Sequence, residues 1–323
     1  VLFIPIYNLS AEGSGPFKRP SAETGGLMKK LEEMNLLDDF LVNSLTGHRL
    51  YGEAAARYIL ECIFRRRIGR LTVVPQRFWQ GGSTGKHGVR LDVYLDEEDG
   101  EIFDVEPDRN GGAEEITALP RRVRFYHAKI DAGNLAAGED YRNLRNVIVI
   151  FITPYDSFGL GRMVYTVKNS CVEEPELVYN DGAKTLFLYT RGTKGEPPEE
   201  LRLLLRYMEK SLEENAQTQE LKKLHGMVQA VKRDAEVGLA YMKSFEREQR
   251  VREEAREEGR EEGIVQGRAA EKAECILQVA RRLGEIPEKL KRELLSETDP
   301  ETLERWFQAA LSAGSVEEFR EKL

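Results

Sequence analysis

The chain has 323 residues, with 48 Lys plus Arg against 56 Asp plus Glu, a formal charge of −8 and a charged fraction of 32%. That length exceeds one core of ordinary size, so a globular domain with an appendage is expected. A charged fraction above the roughly 25% of ordinary domains points to a solvated charged helix. Mild overall acidity gives nucleic-acid binding no support from bulk charge, so any such case must rest on a local patch or a metal site.

No window approaches the ~18 to 20 apolar residues of a membrane span, and the opening VLFIPIYNL lacks a basic leader and cleavage site. A soluble, cytoplasmic protein without membrane contact is expected. Cys62, Cys171 and Cys275 are far apart and match no metal-ligand spacing, so they read as reduced packing residues. Residues 1–27 are rich in Gly, Ser and Pro over their second half and precede the first Met, Met28; they read as a disordered leader.

In chain order, Leu31, Met34, Leu37, Leu41 and Leu45 recur at helical spacing, which predicts a helix over 28–45. A second helix over 52–67 buries Ala55, Tyr58, Ile59, Cys62 and Ile63 and ends in Arg65, Arg66, Arg67 and Arg70, a solvated helix end or a phosphate-contacting patch. The period then becomes alternating. Strands are predicted over 70–76, 89–95 and 101–107, the last two joined by the turn sequence DEEDG. A helix over 119–135 follows, then VIVIFIT at 147–153, a continuous apolar run typical of a central buried strand. Strands over 162–167 and 185–190 extend the sheet, and the order is mixed α and β.

After Gly195-Glu196-Pro197-Pro198 the chain reads as helical to its end. Residues 246–274 hold 10 Glu and 7 Lys or Arg with few large apolar residues, which makes this stretch the solvated helix. Gly259, Gly263 and Gly267 share one face of it, fitting either close helix contact in a homodimer or a weakly helical linker; each costs a helix about 1 kcal/mol relative to Ala. The expected domains are the leader 1–27, a core over 28–195, a helical extension packing on it over 196–245, a charged coiled-coil-like linker over 246–275 and a small helical unit over 276–323.

The segment GVRLDVYLDEEDGEIFDVEPD, residues 88–108, carries the candidate chemistry. Asp92 and Glu106 have their midpoint at residue 99, inside the hairpin turn, so they fall opposite each other, and cross-strand neighbours lie roughly 5 Å apart. Asp104 and Asp108 share the parity of Glu106. Carboxylates crowded beside an apolar face made by Leu91, Val93, Phe103 and Val105 repel, and a divalent cation relieves that cost. Hard oxygen ligands suit Mg²⁺ or Mn²⁺ and thereby metal-assisted phosphodiester hydrolysis. The same acids also fit the solvent-facing side of a half-exposed hairpin.

This segment, with PRRVRFYHAKIDAGNLAAGEDYRNLRNVIVIFITPYDSFG after it, resembles the Rpn-type recombination-promoting nuclease and transposase group of the PD-(D/E)XK nuclease superfamily. The likeness extends over about 36–242 through NLLDDFL and VGLAYMKSFERE. It implies an α/β, restriction-endonuclease-like core, DNA as partner, Mg²⁺ or Mn²⁺ as cofactor, and Asp92 and Glu106 as metal ligands. Two positions after Glu106 the superfamily usually has Lys, and many Rpn-type members Gln; here it is Asp108, an auxiliary carboxylate. Lys129 on the following helix, where some superfamily members carry their lysine, is the substitute for orienting the attacking water, or else an exposed helix lysine. Arg122 and Arg124 are candidate contacts to DNA phosphates, and His127 reads as a packing histidine or a general base.

No phosphate loop, nucleophile elbow or zinc spacing occurs. The leading expectation is a metal-dependent DNA endonuclease using Asp92, Glu106, Asp108 and Lys129. The alternatives are a catalytically inactive, nuclease-derived module that binds DNA or protein, and a chain whose working part is the 246–323 tail.

Overall fold

The computed structural model describes residues 29–79, 89–97 and 100–323, with the side chains of 75–79 and 89–92 also outside the described set. The expected leader therefore lies outside the described residues. The chain divides into two compact units, 1–241 and 242–323.

In the first unit, α1 (Asp39–Thr46) and α2 (Gly52–Phe64) precede an antiparallel meander of β1 (Leu71–Trp79), β2 (Val89–Glu97) and β3 (Ile102–Pro107). The chain returns through α3 (Ala113–Asn134), so that β4 (Val147–Thr153) adds parallel to β3. Next come β5 (Val164–Val167) and β6 (Ala183–Tyr189); β6 lies parallel to β4 and β5 antiparallel at the far edge, giving the order β1-β2-β3-β4-β6-β5. A central strand covered on both faces needs apolar residues at every position, and every residue of β4 is buried. Ile148, Ile150 and Ile152 join Phe103 and Val105 in one core with α1, α2, α4 (Glu199–Glu209) and α5 (Gln219–Lys232). Val147, Val149 and Phe151 join Ile102 and the inward stripe of α3, Leu119, Val123 and Ile130, on the other face.

Two predicted helices differ from those observed. Over 28–45, the described part holds a short 3-10 turn, Leu31–Glu33, and α1. The intervening peptides bond elsewhere: Leu36 N–H donates to Ser211 Oγ (2.7 Å) and Leu37 N–H to the Met208 carbonyl (2.9 Å), both at the end of α4. The apolar spacing thus reflects docking onto α4 rather than one continuous helix. The third helix starts at Ala113, ahead of the predicted 119, and Pro120 lies inside it. Proline is favoured in a first turn, which is why it reads as a start signal; here acidic Glu114 and Glu115 open the helix instead.

Arginines fasten the β2–β3 hairpin. Arg66, from the basic cluster after α2, grips the buried Glu97 carboxylate with two bonds of 3.0 and 2.8 Å and also reaches Glu101 at 3.0 Å. Arg145 bonds Asp96 at 2.6 Å and the carbonyls of Glu97 and Gly100. A Cβ on Gly100 would stand 2.6 Å from the Glu97 carboxylate, so only glycine fits there.

In the second unit, the C-terminal end of α6 (Ala235–Ala280) packs with α7 (Glu288–Ser296), α8 (Pro300–Ser312) and α9 (Val316–Glu321) around Ile276, Leu290, Leu294, Leu303, Trp306 and Phe319. Residues 250–268 of α6 are exposed throughout, as the charge pattern predicts. A Cβ on Gly259, Gly263 or Gly267 would meet nothing within 4 Å, so packing within the chain does not require these glycines. No described helix is long and apolar enough to cross a membrane.

The Arg66 guanidinium holds the Glu97 carboxyl down at about 2 from its ordinary 4.5, against burial and with help from the Gly69 N–H. A depressed carboxyl stabilises the fold fully above its unfolded value and loses that contribution as pH falls. Glu97→Gln should cost about 2 kcal/mol in urea denaturation at pH 7, a gap that narrows as pH drops from 4.5 toward 2. A gap independent of pH would contradict this account.

Candidate active site

The β2–β3 ladder pairs Val93 with Val105, Tyr94 with Asp104, Leu95 with Phe103 and Asp96 with Ile102, so it is centred on residue 99. Carried on by one pair, this register sets Asp92 opposite Glu106; the Asp92 side chain lies outside the described residues. Alternation along β3 turns Asp104 and Glu106 toward α3, away from Phe103 and Val105 in the opposite core. Asp104, Glu106 and Asp108 are 0%, 4% and 5% exposed, so the acids are not the solvent side of a hairpin.

Asp108 continues the parallel pairing beyond β3, its N–H donating to the Ile152 carbonyl at 3.0 Å. Its carboxylate is committed on both oxygens. Oδ1 accepts from the Asn110 N–H at 2.7 Å and Oδ2 from the Arg122 guanidinium, with Tyr155 close by. Gly111 permits that approach, because a Cβ there would stand 2.9 Å from the Tyr155 ring. Beside it, Arg109 pairs with Asp38 at 2.7 Å, tying the end of β3 to the start of α1.

Arg122 is the electrostatic centre of this arrangement. Its Cζ lies 4.8 Å from the ring centroid of Phe151, the residue paired with Glu106 on β4, and 5.9 Å from that of Tyr126. Burial opposes its charge, but Asp108, Tyr126 and Glu106 more than compensate and raise its pKa. Burial and the Asp108 charge push the Tyr155 hydroxyl well above its usual range, so it stays protonated.

The expected set is therefore brought together in part. Glu106 and Asp108 converge, but Arg122, expected at the DNA surface, is the cation among them, and Asp108 is its anchor rather than a carboxylate open to a metal. Lys129 lies two turns farther along α3, about 10 Å along the axis, with its ammonium 5.5 Å from the Phe125 ring and no ion pair to a described carboxylate. Arg124 is exposed. His127 packs against the sheet, Nε2 3.0 Å from Thr185 Oγ1, and burial lowers its pKa against the pull of Asp181. Arg122 was open to detection in the sequence, since it shares the inward stripe of Leu119, Val123 and Tyr126; Tyr155, reached through a tertiary turn, carries no such signal. Among the described residues no three His, Cys, Asp or Glu are grouped to hold a metal.

A meander joined through a helix to a parallel strand, with buried acids at the carboxyl end of its third strand, defines a restriction-endonuclease-like α/β core. The model of the PD-(D/E)XK nuclease family transposases matches residues 38–260, and the chain belongs to that family. No curated protein and no solved structure matches it.

Removing Asp108 leaves Arg122 half-buried without its main partner. Asp108→Ala should cost about 1–3 kcal/mol, and a cycle with Arg122→Met should give a coupling of about 1–2 kcal/mol by urea denaturation. Additive effects would show that the pair contributes nothing.

Proposed function

We propose that the protein is a divalent-metal-dependent DNA endonuclease of the recombination-promoting type, hydrolysing phosphodiester bonds at the carboxyl end of β3. One observation carries this reading: Glu106 is buried beside the Arg122 guanidinium, with Asp92 at the opposite register position. Two acidic residues at opposite register positions suit Mg²⁺ or Mn²⁺, which keep several waters and bind phosphate oxygens. Glu106 and Asp92 would hold such an ion, which would supply Lewis acidity and activate a water.

The chain's own groups then have distinct parts. Arg122 stays charged at any working pH, so it cannot be the general base; it faces the negative charge that develops on the scissile phosphate. Asp108 and Phe151 fix its position. Arg122 thereby takes the cationic part that the superfamily places two residues after the Glu and that the sequence suggests for Lys129. Lys129 and Arg124, farther out on α3, suit contacts to flanking phosphates.

A second reading is an inactive nuclease fold that only binds. It is favoured by the neutralisation of Asp108 by Arg122. Plasmid nicking by the purified full chain in Mg²⁺ or Mn²⁺ separates the two. Active enzyme predicts relaxation of supercoiled DNA that stops in EDTA, loss in Glu106→Gln, and a drop of about 10²-fold in Arg122→Met. Nicking that persists in Glu106→Gln would refute the site, and no nicking with either metal would leave the binding module.

A further inference from the structure

β3, β4 and β6 run parallel, so their carboxyl ends share one sheet edge. The candidate active site occupies that edge after β3 and β4. After β6, two strand spacings away or about 10 Å, the same edge carries a cleft of about 780 Å³ between the 190–193 turn and α4. Arg202 and Arg206 line it from one face of α4, about 6 Å apart along the axis, and Lys210 continues the four-residue interval from the cap at the end of that helix. Arg191 lines it from the turn.

The charges do not cancel. Glu209 is taken up by Arg191 Nε at 2.6 Å and by the Thr190 hydroxyl at 2.8 Å, which fixes the turn against the helix. Arg202 lies 3.3 Å from Glu199. Arg206 and Lys210 are exposed and make no ion pair with a described carboxylate, and Glu214 is the remaining acid of the lining. With Glu199 counted, four cations stand against three carboxylates, and Arg206 and Lys210, without an ion pair to a described carboxylate, keep the groove positive within an acidic chain. An isolated small anion would need one converging cluster, whereas this is a row repeating at the scale of successive phosphates along a strand.

We infer that this groove binds the phosphate backbone of the nucleic acid at a distance from the scissile bond, with Arg206 and Lys210 as its principal contacts. The inference rests on the DNA-directed reading above for its ligand, but not on catalysis. The cleft opens on the α4 face of the sheet and Glu106 faces α3, so a bound strand would pass over the shared edge from one to the other.

Fluorescence anisotropy of a labelled duplex with the full chain in EDTA tests it without cleavage. Arg206→Gln with Lys210→Gln should weaken binding at least tenfold at low salt and lower the slope of log K against log salt by about two, as expected for two lost phosphate contacts. Both residues are exposed, and an unchanged melting curve checks the fold. Arg250→Gln with Arg256→Gln, the same charge change on the exposed part of α6, should leave binding within twofold. The proposal is overturned if the wild-type chain does not bind duplex, if the groove pair changes neither affinity nor slope, or if the α6 pair weakens binding equally. Calorimetric binding of inorganic phosphate as tight as that of duplex would also overturn it, as a site for a small anion. Binding that depends on Arg206 and Lys210 in a chain that never cleaves would uphold the groove while removing the endonuclease reading.

Discussion

Three carboxylates, Asp104, Glu106 and Asp108, follow one another at alternate positions on β3 and its extension, and all are withdrawn from water. Negative charge gathered in a poorly hydrated place is costly unless positive charge comes with it. The fold supplies one cation from the helix that β3 feeds into, because Arg122 projects from the inward face of α3 onto Asp108 and over Phe151. Much of the local structure serves this placement. The Asp108 N–H continues the parallel pairing to β4, and Gly111 admits the Tyr155 ring beside it.

On the proposed reading, the balance gives a reason for Asp108 to stand where the family resemblance implies Lys or Gln. An anion in that position cannot polarise a nucleophile, but it can hold a guanidinium there. Arginine suits the task better than lysine because its planar fork bonds a carboxylate while its face rests on an aromatic ring. The positive charge reaches the neighbourhood of Glu106 by a different covalent route, with its sign preserved.

The core was legible where sequence period and tertiary environment agree. VIVIFIT is buried at every position, as a strand flanked by helices on both faces must be, and the hairpin is centred on residue 99 because DEEDG leaves little freedom of register. The segment before α1 misled because Leu31, Met34 and Leu37 keep helical spacing while the Leu36 and Leu37 peptides bond to the end of α4, Leu36 to a partner 175 positions away. At the candidate site, the register of Glu106 opposite residue 92 followed from the hairpin midpoint. The joining of Asp108 to Arg122 did not, since it depends on how α3 lies across the sheet, and a basic residue among acids and aromatics reads as easily for a surface contact.

The most direct measurement is a crystal structure of the full chain soaked in Mn²⁺, with anomalous scattering used to locate the ion. The account predicts a peak about 2.0–2.2 Å from a Glu106 carboxylate oxygen, shared with Asp92, with Arg122 still bonded to Asp108 beside it. An ion bound elsewhere, or an Arg122 guanidinium filling the space between Glu106 and Asp92 with no ion present, would contradict it.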